Sequence, residues 1–175
     1  MNLPNLLTII RLILIPIFVV VFFSHSTNSL IYSISIFLLA GFTDFLDGYL
    51  ARKYKLITKV GIVLDPLADK LMLMTVLSCL VIKSYIPIWV LIVIAAKELF
   101  MIFSGLFLYK KGTVIPSNRF GKISTILFYI SIFILSLNED IGILLLYISV
   151  ISALIALINY SVLYTKNKNN ENISI

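Results

Sequence analysis

Long uninterrupted runs of apolar residues alternate with short polar segments along this chain. A helix needs about 20 apolar residues to cross the hydrocarbon core of a bilayer. Six runs have that length, and the segments between them carry the Gly, Ser, Asn and Pro residues typical of turns. The runs cover residues 5–23, 30–50, 61–82, 86–108, 121–137 and 141–163. None alternates in polarity at a period of two, so the pattern predicts an all-α, polytopic membrane bundle of six transmembrane helices.

One membrane domain is expected to contain nearly all of the chain. We predict that it covers residues 1–165 and that the polar stretch 166–175 is a cytoplasmic tail. Hydrophobic residues make up 61% of the 175 positions, more than the roughly half that is usual in soluble domains. The single cysteine, Cys79, lies in an apolar run, so we interpret it as a packing residue and not as part of a disulfide or metal site.

Basic residues are concentrated in every second loop. The loops after the second and fourth runs are rich in Lys and Arg, whereas the loop after the first run has neither. The positive-inside rule therefore predicts that both termini and the two basic loops face the cytoplasm. Topology and attraction to anionic membrane lipid account for the net charge of +6. No contiguous basic face indicates nucleic acid as a partner.

Acidic residues are few, and most of them lie inside the predicted spans. The chain has eight Asp and Glu residues. Those within apolar runs are Asp44, Asp47, Asp65, Asp69 and Glu98. A charged side chain in hydrocarbon is costly, so such residues are rare and usually functional. A single one would also fit a structural ion pair, but four aspartates in a regular pattern indicate a function.

The four aspartates form two pairs, each of which shares one helix face. Asp44 and Asp47 are three residues apart, and Asp65 and Asp69 are four apart on the next run. A basic loop joins the two runs, so both pairs are expected to meet near the cytoplasmic surface. Converging carboxylates cannot all stay ionised without cations between them. Two divalent ions, Mg²⁺ or Mn²⁺, suit oxygen ligands and would balance the four charges.

The spacing of these residues resembles a family signature. The pattern Asp44-x2-Asp47-Gly48-x2-Ala51-Arg52-x8-Gly61-x3-Asp65-x3-Asp69 matches the signature of the CDP-alcohol phosphatidyltransferases at all eight of its positions. The opening Pro4-Asn5-x2-Thr8-x2-Arg11 is similar to the N-terminal segment of that family, which lies near the nucleotide. The length and the six predicted spans also resemble the family across nearly the whole chain.

The resemblance implies a role for each matching residue. The four aspartates are expected to bind two divalent metals, and Asp69 is also expected to act as the general base that deprotonates the acceptor alcohol. The residues expected to contact the CDP part of the lipid substrate are Gly48, Ala51, Arg52, Thr58, Asn5 and Thr8. The resemblance also implies a homodimer.

The acceptor is indicated by two longer segments. LPNLLTIIRLILIP and GIVLDPLADKLM are most similar to bacterial phosphatidylglycerophosphate synthases, which transfer the phosphatidyl group of CDP-diacylglycerol to sn-glycerol 3-phosphate and release CMP. An anionic acceptor needs cations, for which Lys97, Arg119 and Lys122 are candidates. For Arg119 and Lys122 the positive-inside bias is an equally good explanation. For Lys97 an internal ion pair with another helix is an equally good explanation. The segments also resemble the cardiolipin synthases of the same family, which use phosphatidylglycerol, so that acceptor stays open.

An ion or proton transporter is the alternative from another functional class, because transporters also keep carboxylates in membrane helices. A transporter would place its acids near the middle of the bilayer and divide them between two related halves. In this chain the aspartates lie in one half, beside one basic loop. The pattern therefore favours the enzyme.

Overall fold

A computed structural model of the chain describes residues 3–54, 59–110 and 119–173, and six helices contain most of them. The helices are α1 (Leu3–Phe22), α2 (Ser29–Lys53), α3 (Lys59–Ile82), α4 (Ile88–Lys110), α5 (Arg119–Leu135) and α6 (Glu139–Ile173). Each coincides with one of the six apolar runs, and no strand occurs in the described ranges. The predicted all-α class is confirmed for that part of the chain.

The last helix is longer than its apolar run. The expected span ends at residue 163, but α6 continues through the polar stretch to Ile173. Neither Pro nor Gly follows Gly142, so the two residues that interrupt helices most strongly do not occur there. The polar stretch that was predicted to form a tail from residue 166 is therefore helical and continues α6 to Ile173.

Helix packing divides the chain into two compact units, the first containing α1, α2 and α3 and the second containing α4, α5 and α6. The single membrane domain expected over residues 1–165 depends on how these units associate, and it stays a prediction.

In the first unit, α1 packs against both α2 and α3. The fully buried side chains of α1 include Thr8, Arg11, Phe18 and Phe22. Their spacing places them along one stripe of the helix. The first half of this stripe is polar, and the second half is aromatic, with the two phenyl rings stacked 5.6 Å apart. One helix face thus supplies both polar groups and an apolar core.

The aromatic end of α1 is closed by residues that follow α3. The Lys83 ammonium donates a hydrogen bond of 2.6 Å to the Phe22 carbonyl and lies 4.8 Å from the centre of the Phe22 ring. The Tyr85 ring meets the same phenyl ring edge to face. The last carbonyls of a helix lack partners within the helix, so this lysine satisfies one of them and fastens α1 to α3.

The outer faces of the helices are strongly apolar. Val20 of α1, Phe45 of α2 and Ile158 of α6 are each more than 60% exposed. Buried hydroxyls such as Ser33 and Ser149 donate to backbone carbonyls one turn earlier in their own helices. Large apolar groups outside and satisfied polar groups inside are the distribution that lipid surroundings favour.

Two helices in the described part of the chain are long and apolar enough to cross a membrane, judged by length and composition: Ser29–Leu50 and Glu139–Asn159. The apolar helices Leu6–Phe22 and Ile123–Leu135 are shorter. Helix α3 carries Asp65, Asp69 and Lys70, which lower its hydropathy. The expected topology of six spans stays a prediction.

In the second unit, the start of α6 passes very close to the end of α5. A Cβ atom added at Gly142 would lie 2.2 Å from the Leu135 Cα atom and 2.4 Å from its nitrogen. Both are backbone atoms, which cannot move aside as the end of a flexible side chain can. This position in α6 therefore requires glycine.

We expect Gly142→Ala to lower the thermal unfolding temperature of the detergent-solubilised protein, because the methyl group forces α5 and α6 apart. Overpacking of this kind costs about 1–3 kcal/mol, occasionally more. Leu144→Ala is the matched control, since Leu144 is 60% exposed on the same helix and leaves no cavity. A Gly142→Ala protein as stable as the wild type would contradict this close approach.

Candidate active site

Helix α1 contributes two polar side chains to the interior of the first unit. Thr8 and Arg11 are each only 1% exposed. They lie three residues apart, so they point from the same face of α1 toward its neighbours. A buried arginine is rare unless its charge is paired. Its partners therefore identify the polar centre of this unit.

Arg11 forms ion pairs with both aspartates of α2. Its Nη1 atom lies 2.6 Å from Oδ1 of Asp44, and its Nη2 atom lies 2.5 Å from Oδ2 of Asp47. Asp44 and Asp47 are one helical turn apart, so the planar guanidinium bridges the two carboxylates. The Asp47 side chain is 4% exposed, whereas that of Asp44 is 41% exposed. Asp44 is therefore the acid of this pair that an incoming ligand reaches more easily.

Helix α3 reaches the same place through Asp65. The Thr8 hydroxyl donates a hydrogen bond to Oδ1 of Asp65. The Arg11 Nη1 atom also donates a longer bond, of 3.4 Å, to the Asp65 backbone carbonyl. Side chains from three helices, separated by more than 30 residues in the sequence, thus converge on one buried arginine.

The charges at this site do not balance within the group. One guanidinium pairs with the carboxylates of Asp44 and Asp47. The Asp65 carboxylate, which bonds to Thr8, lies close enough to both for the negative charges to repel one another. Arginine stays protonated under all ordinary conditions, so it supplies one positive charge and no more. The site consequently attracts further cations or the cationic part of a ligand.

The remaining residues of the signature lie beside this centre or beyond the described part of the chain. Asp69 is half-buried on α3 and follows Asp65 by about one turn, and Gly48 follows Asp47 on α2. The structure does not describe Thr58. It describes no side chain for the predicted substrate-binding residues Asn5, Ala51, Arg52, Arg119 and Lys122.

Lys97 has a partner on its own helix in the second unit. Its Nζ atom lies 2.6 Å from Oε1 of Glu98, and both side chains are 13% exposed. Lys97 is therefore in an ion pair, but the partner is the adjacent residue on α4 and not a residue of another helix, as the sequence analysis had considered. A role in binding the acceptor phosphate stays a prediction.

The carboxylates of this site have the right chemistry for a divalent cation. Their hard oxygen atoms come from two helices and carry more negative charge than Arg11 neutralises. Among the described residues, however, no three Asp, Glu, His or Cys side chains lie close enough together to enclose a metal ion. The oxygen that each α2 aspartate turns toward Arg11 is instead bonded to the guanidinium. These carboxylate oxygens are suitable ligands for a cation, but in this conformation the α2 aspartates are paired with Arg11.

Arg11 is the residue of this site that the sequence analysis did not identify. Its position in the N-terminal motif suggested proximity to a nucleotide, and the aspartates were expected to be balanced by metals alone. The available signal was that Arg11 is the only charged residue in the first apolar run. A lone arginine in one apolar run, followed by acids in the next two runs, is a reason to expect an ion pair between helices.

Comparisons with known proteins agree with the signature. The family model for CDP-alcohol phosphatidyltransferases matches residues 1–158. Three similar proteins share the name CDP-diacylglycerol--glycerol-3-phosphate 3-phosphatidyltransferase. The Rickettsia felis protein is 35% identical over 156 residues, which cover 88% of this chain and 84% of the relative. The Wigglesworthia glossinidia brevipalpis protein is 34% identical, with 91% and 93% covered. The Bacillus subtilis protein is 36% identical, with 71% and 70% covered.

Proposed function

Because the chain belongs to the CDP-alcohol phosphatidyltransferase family, we propose that it transfers the phosphatidyl group of CDP-diacylglycerol to sn-glycerol 3-phosphate. The products are phosphatidylglycerophosphate and CMP, so the reaction belongs to phospholipid biosynthesis. The observation that carries this proposal is the convergence of signature aspartates from α2 and α3 on Thr8 and Arg11 of α1. The names of these relatives support glycerol 3-phosphate as the acceptor.

The chemistry needs one bond to phosphorus to form and another to break. A hydroxyl oxygen of the acceptor attacks the phosphorus that carries the diacylglycerol, and the bond from that phosphorus to the CMP oxygen breaks. The attacking hydroxyl loses its proton, and a carboxylate within hydrogen-bonding reach is a suitable base. We assign this role to Asp69, which lies on the same face of α3 as Asp65. Its position beside other carboxylates suits a group that must accept a proton.

We assign Asp44, Asp47, Asp65 and Asp69 as the ligands of divalent cations, Mg²⁺ or Mn²⁺. When bound, such cations supply positive charge to the pyrophosphate oxygens, which gain negative charge as CMP leaves. The chain itself keeps the acids on two packed helices, which holds their side chains in one region when the substrate arrives. Gly48 allows the nucleotide to approach the α2 backbone, and Arg52 offers a guanidinium to a phosphate.

The apolar exterior supports a location in a bacterial inner membrane. We propose six membrane spans with both termini and the active site on the cytoplasmic side, where the basic loops favour anionic headgroups. The acyl chains of the lipid substrate then stay among the exposed apolar side chains while its headgroup reaches the aspartates. The homodimer implied by the resemblance is part of the same proposal.

We expect purified protein in detergent to release CMP from CDP-diacylglycerol when glycerol 3-phosphate is present, because the anionic acceptor completes the reaction. Phosphatidylglycerol and inositol phosphate, supplied one at a time, should give little CMP. Lipid products separated by mass spectrometry identify the reaction. Faster release with phosphatidylglycerol, together with cardiolipin formation, would assign the chain to the alternative activity.

Removal of divalent cations by a chelator should abolish CMP release, since the departing phosphate would then lose its positive partner. Addition of Mg²⁺ or Mn²⁺ in excess of the chelator should restore the rate. The same protein treated with chelator already saturated with Mg²⁺ is the control. Full activity in the presence of free chelator would contradict the cation assignment.

Asp69→Asn should reduce the rate of CMP release by at least about a hundredfold, the usual contribution of a general base. Asparagine has nearly the same shape, so the variant should elute and unfold like the wild type. Asp140→Asn is the control, because Asp140 is an exposed acid at the start of α6. A folded Asp69→Asn protein with substantial turnover would remove the general-base role.

A further inference from the structure

The guanidinium of Arg11 occupies the place where a cation would balance the α2 aspartates. It lies 2.6 Å from an oxygen of Asp44 and 2.5 Å from an oxygen of Asp47, and its side chain is 1% exposed. A divalent cation bound by the same two carboxylates needs oxygens from the same region. Arginine and cation therefore compete for the same negative charge.

The bonding of Arg11 is incomplete in this conformation. Its two Nη atoms have carboxylate and carbonyl partners, but the buried Nε atom has no hydrogen-bond partner among the described residues. A buried donor without a partner carries a desolvation penalty. The Nη atoms of Arg11 thus pair with the acids, whereas its Nε–H group lacks a hydrogen-bond acceptor among the described residues.

The aspartates are also incompletely neutralised by Arg11. The contacts to the guanidinium and to Thr8 use Oδ1 of Asp44, Oδ2 of Asp47 and Oδ1 of Asp65. The second oxygen of each carboxylate takes no part in these contacts. Because three carboxylates share one guanidinium within this group, a dication would offset more of their negative charge than the guanidinium does.

We infer that Arg11 is a built-in counter-ion that holds Asp44 and Asp47 together in the cation-free protein and yields them to a divalent cation when one binds. This inference rests on the proposed cation site and adds a residue to it. In this role Arg11 is a positioning residue: it prevents the acids from repelling one another before the cation arrives. Its presence weakens cation binding, because the cation must displace the guanidinium from the two carboxylates.

A purely structural arginine makes a different prediction. If Arg11 only held the aspartates in the correct arrangement, its removal would scatter them and weaken cation binding. If Arg11 competes with the cation, its removal strengthens cation binding and at the same time destabilises the cation-free protein. The direction of the change in cation affinity therefore separates the two roles without any measurement of activity.

The test compares Mn²⁺ binding by wild type, Arg11→Met and Arg11→Lys in a zwitterionic detergent, with free Mn²⁺ measured by electron paramagnetic resonance. An adjacent arginine changes the proton affinity of an aspartate by about tenfold to a thousandfold. By the same electrostatic argument we expect the Kd for Mn²⁺ to fall by at least about tenfold in Arg11→Met. The Kd of Arg11→Lys should lie between those of the wild type and Arg11→Met, because one ammonium cannot bridge both carboxylates as the planar guanidinium does.

Thermal unfolding supplies the second measurement. Without cations Arg11→Met should unfold at a lower temperature than wild type, and Mn²⁺ should raise its unfolding temperature by more than it raises that of wild type. Lys83→Met is the matched control, since Lys83 is the cation that holds the opposite end of α1. That variant should lose stability and keep the wild-type Kd for Mn²⁺.

Each outcome decides between the roles. Tighter Mn²⁺ binding in the Arg11 variants supports the counter-ion, and equal or weaker binding in a folded variant overturns it. If Arg11→Met does not fold, the Kd of Arg11→Lys decides in the same way. If neither the wild type nor any variant binds Mn²⁺, the proposed cation site itself is overturned. If Mn²⁺ binds but no Arg11 substitution tightens its binding, only the role of Arg11 is overturned.

Discussion

Charge compensation between helices is the constraint on which the first unit of this protein depends. Carboxylates on α2 and α3 lie among apolar side chains, where an unpaired charge is very unfavourable. Arg11 joins both α2 aspartates, and Thr8 joins Asp65, so α1 must pack where it can reach both helices. The polar contacts thereby determine which face of α1 is buried. Helix packing and the assembly of the site are consequences of the same interaction.

The two ends of α1 serve different purposes. At the aromatic end, Phe18 and Phe22 are fully buried and Lys83 bonds the last part of the helix. These contacts are complete within the chain and need no ligand. At the polar end, one guanidinium pairs with two carboxylates beside a third, so negative charge is in excess within this group. The apolar end therefore holds α1 in place, while the polar end carries a net negative charge.

The sequence predicted the helices better than it predicted the contacts within the candidate site. Apolar runs long enough for a bilayer located all six helices, because helix formation follows from local patterning. The signature located the aspartates, since the spacings of three and four residues place each pair on one helix face. The pairing of Arg11 with Asp44 and Asp47 spans more than 30 residues, so no local pattern contains it. The extension of α6 to Ile173 was missed because polarity was taken as the end of the helix.

A buried group of carboxylates gains from an internal arginine because its acids must be brought together when the protein folds. Four acids without a counter-ion would drive α2 and α3 apart, and full neutralisation would leave nothing to attract a cation. One guanidinium lies between these extremes: it bridges two carboxylates and leaves the cluster negative. The arrangement therefore preserves the spacing of the acids and their affinity for positive charge together. This balance explains why a buried arginine lies among these carboxylates.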